Sequence, residues 1–184
     1  MKIALGIAVF GIFAAQAATA ADIKDESYRD AEGHRVLREV ILIDAPVSQV
    51  WDAFTTDKGF MKWAAPFAHI TPGNGGMMES GFAANGKIGD PNNVLNRIDV
   101  YLPDSMIVMR NEHVPAGGPM DPDLIQKVRT IITFAPAGDG KTELTQTVVG
   151  FGETPGYDAM YAHFRDGNAE YLQSLAESFA AKSG

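Results

Sequence analysis

Cysteine is missing from all 184 residues. Disulfide staples, thiolate metal sites and thiol nucleophiles are therefore excluded, and stability has to come from an ordinary core. Basic residues are scarce, with 15 Lys and Arg against 23 Asp and Glu and a formal charge of −8. Nucleic acid and anionic bilayers both reward basic patches, so neither is an expected partner. Apolar runs are short everywhere beyond the first twenty residues, and none approaches the length of a membrane span. No G-x-S-x-G elbow and no G-x-x-x-x-G-K-[ST] loop occurs. His34, His69, His113 and His163 are scattered without metal-ligand spacing, and neither a metal nor a cofactor is expected. The acidic groups Asp22/Asp25/Glu26 and Asp121/Asp123 lack the ordered ligand pattern of a calcium loop and read as solvated turns.

What is present begins with Lys2, an apolar run from Ile3 to Ala15 and the ending Ala18-Thr19-Ala20. This is the layout of a cleavable export signal cut between Ala20 and Ala21, and it predicts a periplasmic or secreted protein. An uncleaved anchor is the alternative, although the A-x-A ending has no use in one. Lys2 is the one charged residue of that segment, so its removal leaves 14 basic and 23 acidic residues, a balance of −9, on a chain of single-domain length.

Residues 21–35 are polar and without period, which predicts a loose leader or one irregular edge strand. Val36 to Asp44 is β-branched and apolar, a first strand. Pro46 suits the first turn of a helix carrying Val47, Val50, Trp51 and Phe54, and a second short helix follows from Lys58 to Trp63. Phe67–Ile70 and, more weakly, Met77–Ala83 read as strands. Val94 to Leu102 alternates, with Asn96, Ile98, Val100 and Leu102 on one face and Arg97, Asp99 and Tyr101 on the other. Pro103-Asp104-Ser105 turns it into a hairpin with Met106–Glu112. The proline- and glycine-rich stretch from Val114 to Asp123 predicts an irregular loop or lid. Strands at Val128–Phe134 and Thr142–Val149 follow. Last comes an amphipathic helix from Asp158 to Lys182, roughly 37 Å long at about 1.5 Å per residue.

One strand, two short helices, a run of antiparallel strands and a long helix make an α+β domain over residues 36–182. The segment Ile43-Asp44-Ala45-Pro46-Val47-Ser48-Gln49-Val50-Trp51-Asp52-Ala53-Phe54-Thr55-Thr56, with Trp63 after it, resembles the opening of the SRPBCC or START-like superfamily. The branch of heat-shock ATPase activator homologues is the most similar. Asp139-Gly140 before Lys141-Thr142-Glu143-Leu144-Thr145, the Gly150-Phe151 pair, and His163 through Leu175 with Gly167 extend the likeness. The resemblance implies a helix-grip fold, in which a curved antiparallel sheet wraps the C-terminal helix around an apolar cavity. Many members carry Trp after the glycine that Gly167 matches; here Asn168 stands there, which implies a roomier and more polar interior. Gly167 itself implies close helix–sheet approach or added room.

Strand alternation turns Asn96, Met109, Asn111, Thr130 and Gln146 inward, and the helix face offers Tyr161, Phe164, Asn168, Tyr171 and Leu172. A few polar groups on a concave apolar wall are what orients a small ligand. Each amide taken singly is better explained by a bond to a buried backbone group or a trapped water, and only the set together points to a pocket wall. Glu112, His113 and Asn111, beside the flexible stretch, are weak candidates for proton transfer. Three functions follow: an exported binding protein for a small hydrophobic or amphipathic molecule; an enzyme of the polyketide cyclase or hydrolase type using the same cavity; and a protein-interaction module like the heat-shock ATPase activators. Export removes the chain from a cytosolic chaperone and so counts against the third.

Overall fold

The computed structural model describes residues 21–83, 85–118 and 120–180. The expected export signal and the final two residues of the expected domain lie outside these. The chain enters through two short strands, β1 (Ile23–Asp25) and β2 (Tyr28–Arg29), which both pair antiparallel with β3 (Arg35–Ile43). This corrects the expectation of a loose leader or a single edge strand. Local side-chain bonds make the bends: Asp25 accepts from the Ser27 N–H, and Asp30 accepts from the N–H groups of Glu32 and His34. Gly33 completes the second turn at φ +86°.

Helix α1 (Val47–Thr55) buries Val50, Trp51 and Phe54. Pro46 stands one position earlier than expected, as its extended N-cap, and its carbonyl accepts from the Gln49 N–H. The Thr56 hydroxyl accepts from the Gly59 N–H at 3.0 Å and starts α2 (Asp57–Phe60). That helix is shorter than expected. Trp63 lies beyond its end, fastened by an indole N–H donated to the Ala53 carbonyl at 3.0 Å.

Strands β4 (Phe67–Thr71), β5 (Met77–Gly81), β6 (Val94–Leu102), β7 (Met106–His113), β8 (Arg129–Pro136) and β9 (Thr142–Val149) complete the sheet. Its order is β1-β3-β9-β8-β7-β6-β5-β4, with every pairing antiparallel. Between β7 and β8 the stretch expected to be wholly irregular ends in a short helix, α3 (Pro122–Ile125), with Pro122 in its first turn and Asp121 as a side-chain cap. The alternation read for β6 holds only as far as Ile98. The register jumps from Ile98↔Met109 to Val100↔Val108, so Asp99 is an extra residue in a bulge. Tyr101 is thereby turned inward, its ring 5.0 Å from that of Trp51, while Leu102 is left exposed.

Helix α4 (Pro155–Ala180) crosses the concave side of the sheet, nearest to β1 and β3. Its two ends are packed. Tyr157 and Met160 join Leu37, Val148 and Phe151 in one cluster; Leu172 and Leu175 join Ile41, Phe54 and Leu144 in another. This is the helix-grip arrangement, and the middle of α4 is left facing the far half of the sheet.

Candidate ligand cleft

Between the middle turns of α4 and strands β5 to β9 lies a cleft of about 480 Å³. Antiparallel register puts Met78, Asn96, Met109, Asn111, Thr130, Ile132 and Gln146 on its sheet wall. From the helix come Phe164, Gly167, Asn168 and Tyr171, while Phe54, Phe60 and Trp63 close one end. Phe82, Val114, Pro115 and Met120 form the rim. A β-carbon added to Gly167 would meet nothing within 4 Å, so this glycine provides space rather than close approach of helix to sheet.

Eight of the ten side chains expected on the wall are there: Asn96, Met109, Asn111, Thr130, Gln146, Phe164, Asn168 and Tyr171. Tyr161 and Leu172 are not. Tyr161 lies nearly two turns before Asn168, its ring against Phe151 at 5.1 Å and beneath the Arg35 guanidinium at 4.9 Å. Leu172 is one step round the helix from Tyr171, which takes it into the packed cluster.

The amides on the wall are partly engaged. The Asn111 side-chain amide donates to Oδ1 of Asn96 at 2.8 Å, directly across the β6–β7 register. The Tyr171 hydroxyl donates to the Ala64 carbonyl at 3.0 Å, and burial pushes its pKa up to about 12, so this phenol serves as a structural donor and not as a proton shuttle. Of the three weak proton-transfer candidates, Asn111 alone reaches the cleft. Glu112 is turned away: it accepts from Arg97 Nε at 2.6 Å and Nη2 at 2.8 Å, bonds that hold its carboxyl below the ordinary range. His113 is exposed, with Nε2 3.0 Å from the Pro91 carbonyl.

The residue that strand alternation should have revealed is Glu39. It shares a face with Leu37 and Ile41, stands opposite Gln146 in the register and is only 3% exposed. Burial raises its pKa to about 7; the neighbouring Asn168 amide opposes that rise and the Asp25 charge adds to it. Asn168 is near enough to hydrogen-bond the carboxyl and so oppose the rise, although the contact falls short of full hydrogen-bond geometry at Glu39 Oε2 and Asn168 Nδ2.

Other recesses are less suited to a ligand. On the convex face a more open depression of about 530 Å³ is bordered by Arg97, Asp99, Arg110 and Glu112. Its charges cancel locally: Arg110 pairs with Asp99, Arg129 Nε lies 3.1 Å from Asp99, and Arg97 is bonded to Glu112. Asp30, Glu32 and His34 bring three donor atoms within 4.8 Å of one another on an exposed turn, where Asp30 already accepts two backbone bonds. Asp121, expected to be a solvated loop acid, caps α3.

The family model described as Activator of Hsp90 ATPase homolog 1-like protein matches residues 44–180. The chain belongs to this AHSA1 family, within the SRPBCC superfamily. Solved structures share its fold. The Aha1 dimer of Colwellia psychrerythraea matches at 20% identity and a TM-score of 0.59, covering 81% of this chain and 98% of that one. A Mesorhizobium loti protein matches at 16% identity and TM-score 0.61, covering 80% and 99%. CalU16 from Micromonospora echinospora, in solution, matches at 17% and 0.60, covering 91% and 78%. No curated protein matches the chain. At these identities the likeness carries the AHSA1 fold and leaves the function to the cleft.

Proposed function

We propose that this AHSA1-family protein is an exported binding protein for a small hydrophobic or amphipathic molecule held between the sheet and α4. The observation that carries the reading is the cleft itself: about 480 Å³ with Met, Phe, Trp, Tyr and aliphatic side chains on its walls, and amides, hydroxyls, His163 and Glu170 among them. That volume falls within the range of small-molecule sites, and sparse polar groups on apolar walls orient a ligand without covering it. Met78, Met109 and Met120 give the wall side chains that adapt in shape. Export is supported by the basic, apolar and A-x-A layout of residues 1–20. It also separates the chain from a cytosolic chaperone partner.

Protein recovered from the exported fraction, weighed intact under native conditions, is expected to carry a co-purifying molecule that organic extraction releases. Its polypeptide is expected to begin at Ala21. A protein that is empty and binds no apolar fluorescent probe saturably overturns the binding reading, and a chain that retains residues 1–20 overturns the cleavage.

A further inference from the structure

Five neutral polar side chains cross the sheet wall of the cleft in one diagonal line, one from each of β5 to β9: Ser80, Asn96, Asn111, Thr130 and Gln146. The strand register draws this line. Asn96 stands opposite Asn111. Ser80 is opposite Val94, two positions from Asn96; Thr130 is opposite Met109, two from Asn111; Gln146 is opposite Ile132, two from Thr130. Opposite and diagonal neighbours of this kind lie about 5 to 8 Å apart. Ser80 and Gln146 are only 7% and 8% exposed, yet among the described residues neither side chain has a hydrogen-bond partner, and neither is among the polar atoms sealed from solvent. Their polar atoms therefore open into the cleft that both residues line. The bond from Asn111 to Asn96 leaves Asn96 Nδ2 and Asn111 Oδ1 uncommitted.

Resting on the reading of the cleft as a ligand site, we propose that the ligand is a neutral amphiphile with hydroxyl or carbonyl oxygens spaced along one edge. That edge lies on the diagonal, and the apolar side of the molecule faces Phe164 and Tyr171 of α4. Groups open to solvent bond water, and a ligand that fills the cleft displaces it. A plain hydrocarbon would then leave Ser80 and Gln146 buried and unpaired, which a site built with hydrogen-bonding groups rejects. A chain with one terminal headgroup serves one end of the line and strands the other. An anionic group fits no better, because among the described lining residues there is neither Lys nor Arg to neutralise it.

The test loads the purified protein with phenylnaphthylamine, a neutral apolar fluorophore, and displaces it with two competitors. One is dodecanol; the other is the diol with a hydroxyl at each end of the same twelve-carbon chain. That chain is long enough to reach from Asn96 to Gln146, three strands apart and about 14 Å along the sheet. In a merely apolar cleft the second hydroxyl weakens binding, because it loses water and gains no partner. Here the diol is expected to bind about tenfold more tightly than dodecanol. Gln146→Leu and Thr130→Val, each checked for native melting, are expected to reverse that order. Equal binding, or tighter binding of dodecanol, by the unaltered protein overturns the polar line as a ligand contact while the cleft remains a binding site. A preference for the diol that survives in both folded variants also overturns it. No saturable uptake of the fluorophore or of either competitor overturns this inference and the proposed function together. Should the variants fail to fold, the order of the two competitors on the unaltered protein still decides.

Discussion

The two halves of the sheet's concave face are built from the same kinds of residue and end up differently. Against β3 and β9, α4 packs closely and leaves Ile41, Leu144, Leu172 and Leu175 at most 1% exposed. Against β5 to β8, the same helix stands off, and Met109, Thr130, Phe164 and Tyr171 border open space. Apolar side chains are thus no guide to which half is filled. The difference comes from the helix axis, which runs over the β1–β3 edge, and from the absence of a side chain at Gly167 on the turn facing the other half.

This contrast can be tested by removing volume from each half. Leu172→Ala, in the packed half, is expected to destabilise the fold by ~3 kcal/mol in urea titration, because the vacated space cannot be refilled. Phe164→Ala removes more atoms but borders the cleft, and less than half that loss is expected; equal losses would show that the cleft is closed in solution.

Glu39 lies at the boundary between the halves, and its effect depends on pH. Its carboxyl has a folded-state pKa of about 7 against an ordinary 4.5, so the protonated form is the one the fold accommodates. That contribution is fully present below the ordinary pKa and disappears as pH rises through the folded value. Glu39→Gln is therefore expected to leave stability unchanged near pH 4 and to raise it by ~2 kcal/mol at pH 8, measured by thermal melting at both. A constant difference across that range would show that Glu39 is not shifted.

Gly167→Ala is expected to stabilise α4 by up to ~1 kcal/mol, since the new methyl meets nothing within 4 Å. The same methyl enters the cleft, so ligand affinity is expected to fall while stability rises. Smallest of all, Arg97→Ala removes a solvent-exposed ion pair on the convex face, and a change near the limit of detection in thermal melting is expected, vanishing in high salt.

Much of the fold was legible in the chain. Alternation placed Asn96, Met109, Asn111, Thr130 and Gln146 correctly because strand neighbours two apart must share a face. It failed where one residue broke the count: the bulge at Asp99 turned Tyr101 inward, and no period reveals an extra residue. Residues 21–35 were unreadable because β1 and β2 are polar strands held by pairing with β3 and by Asp side-chain bonds, neither of which produces an apolar pattern. Glu39 was visible as an acid in an apolar run. Its significance was not, because burial on both sides depends on where α4 lies.

The sequence by itself determined the order of elements, the inward and outward faces of most strands and the amphipathic terminal helix, since these follow from neighbours within a few residues. Only the tertiary structure decided that α4 would pack against one half of the sheet and stand off the other, that Tyr161 and Leu172 would leave the cleft, and that Glu39 would meet Asn168. Those outcomes depend on the rotation and offset of one helix over nine strands, and contacts between residues 129 positions apart in the chain, such as Glu39 and Asn168, have no local signature.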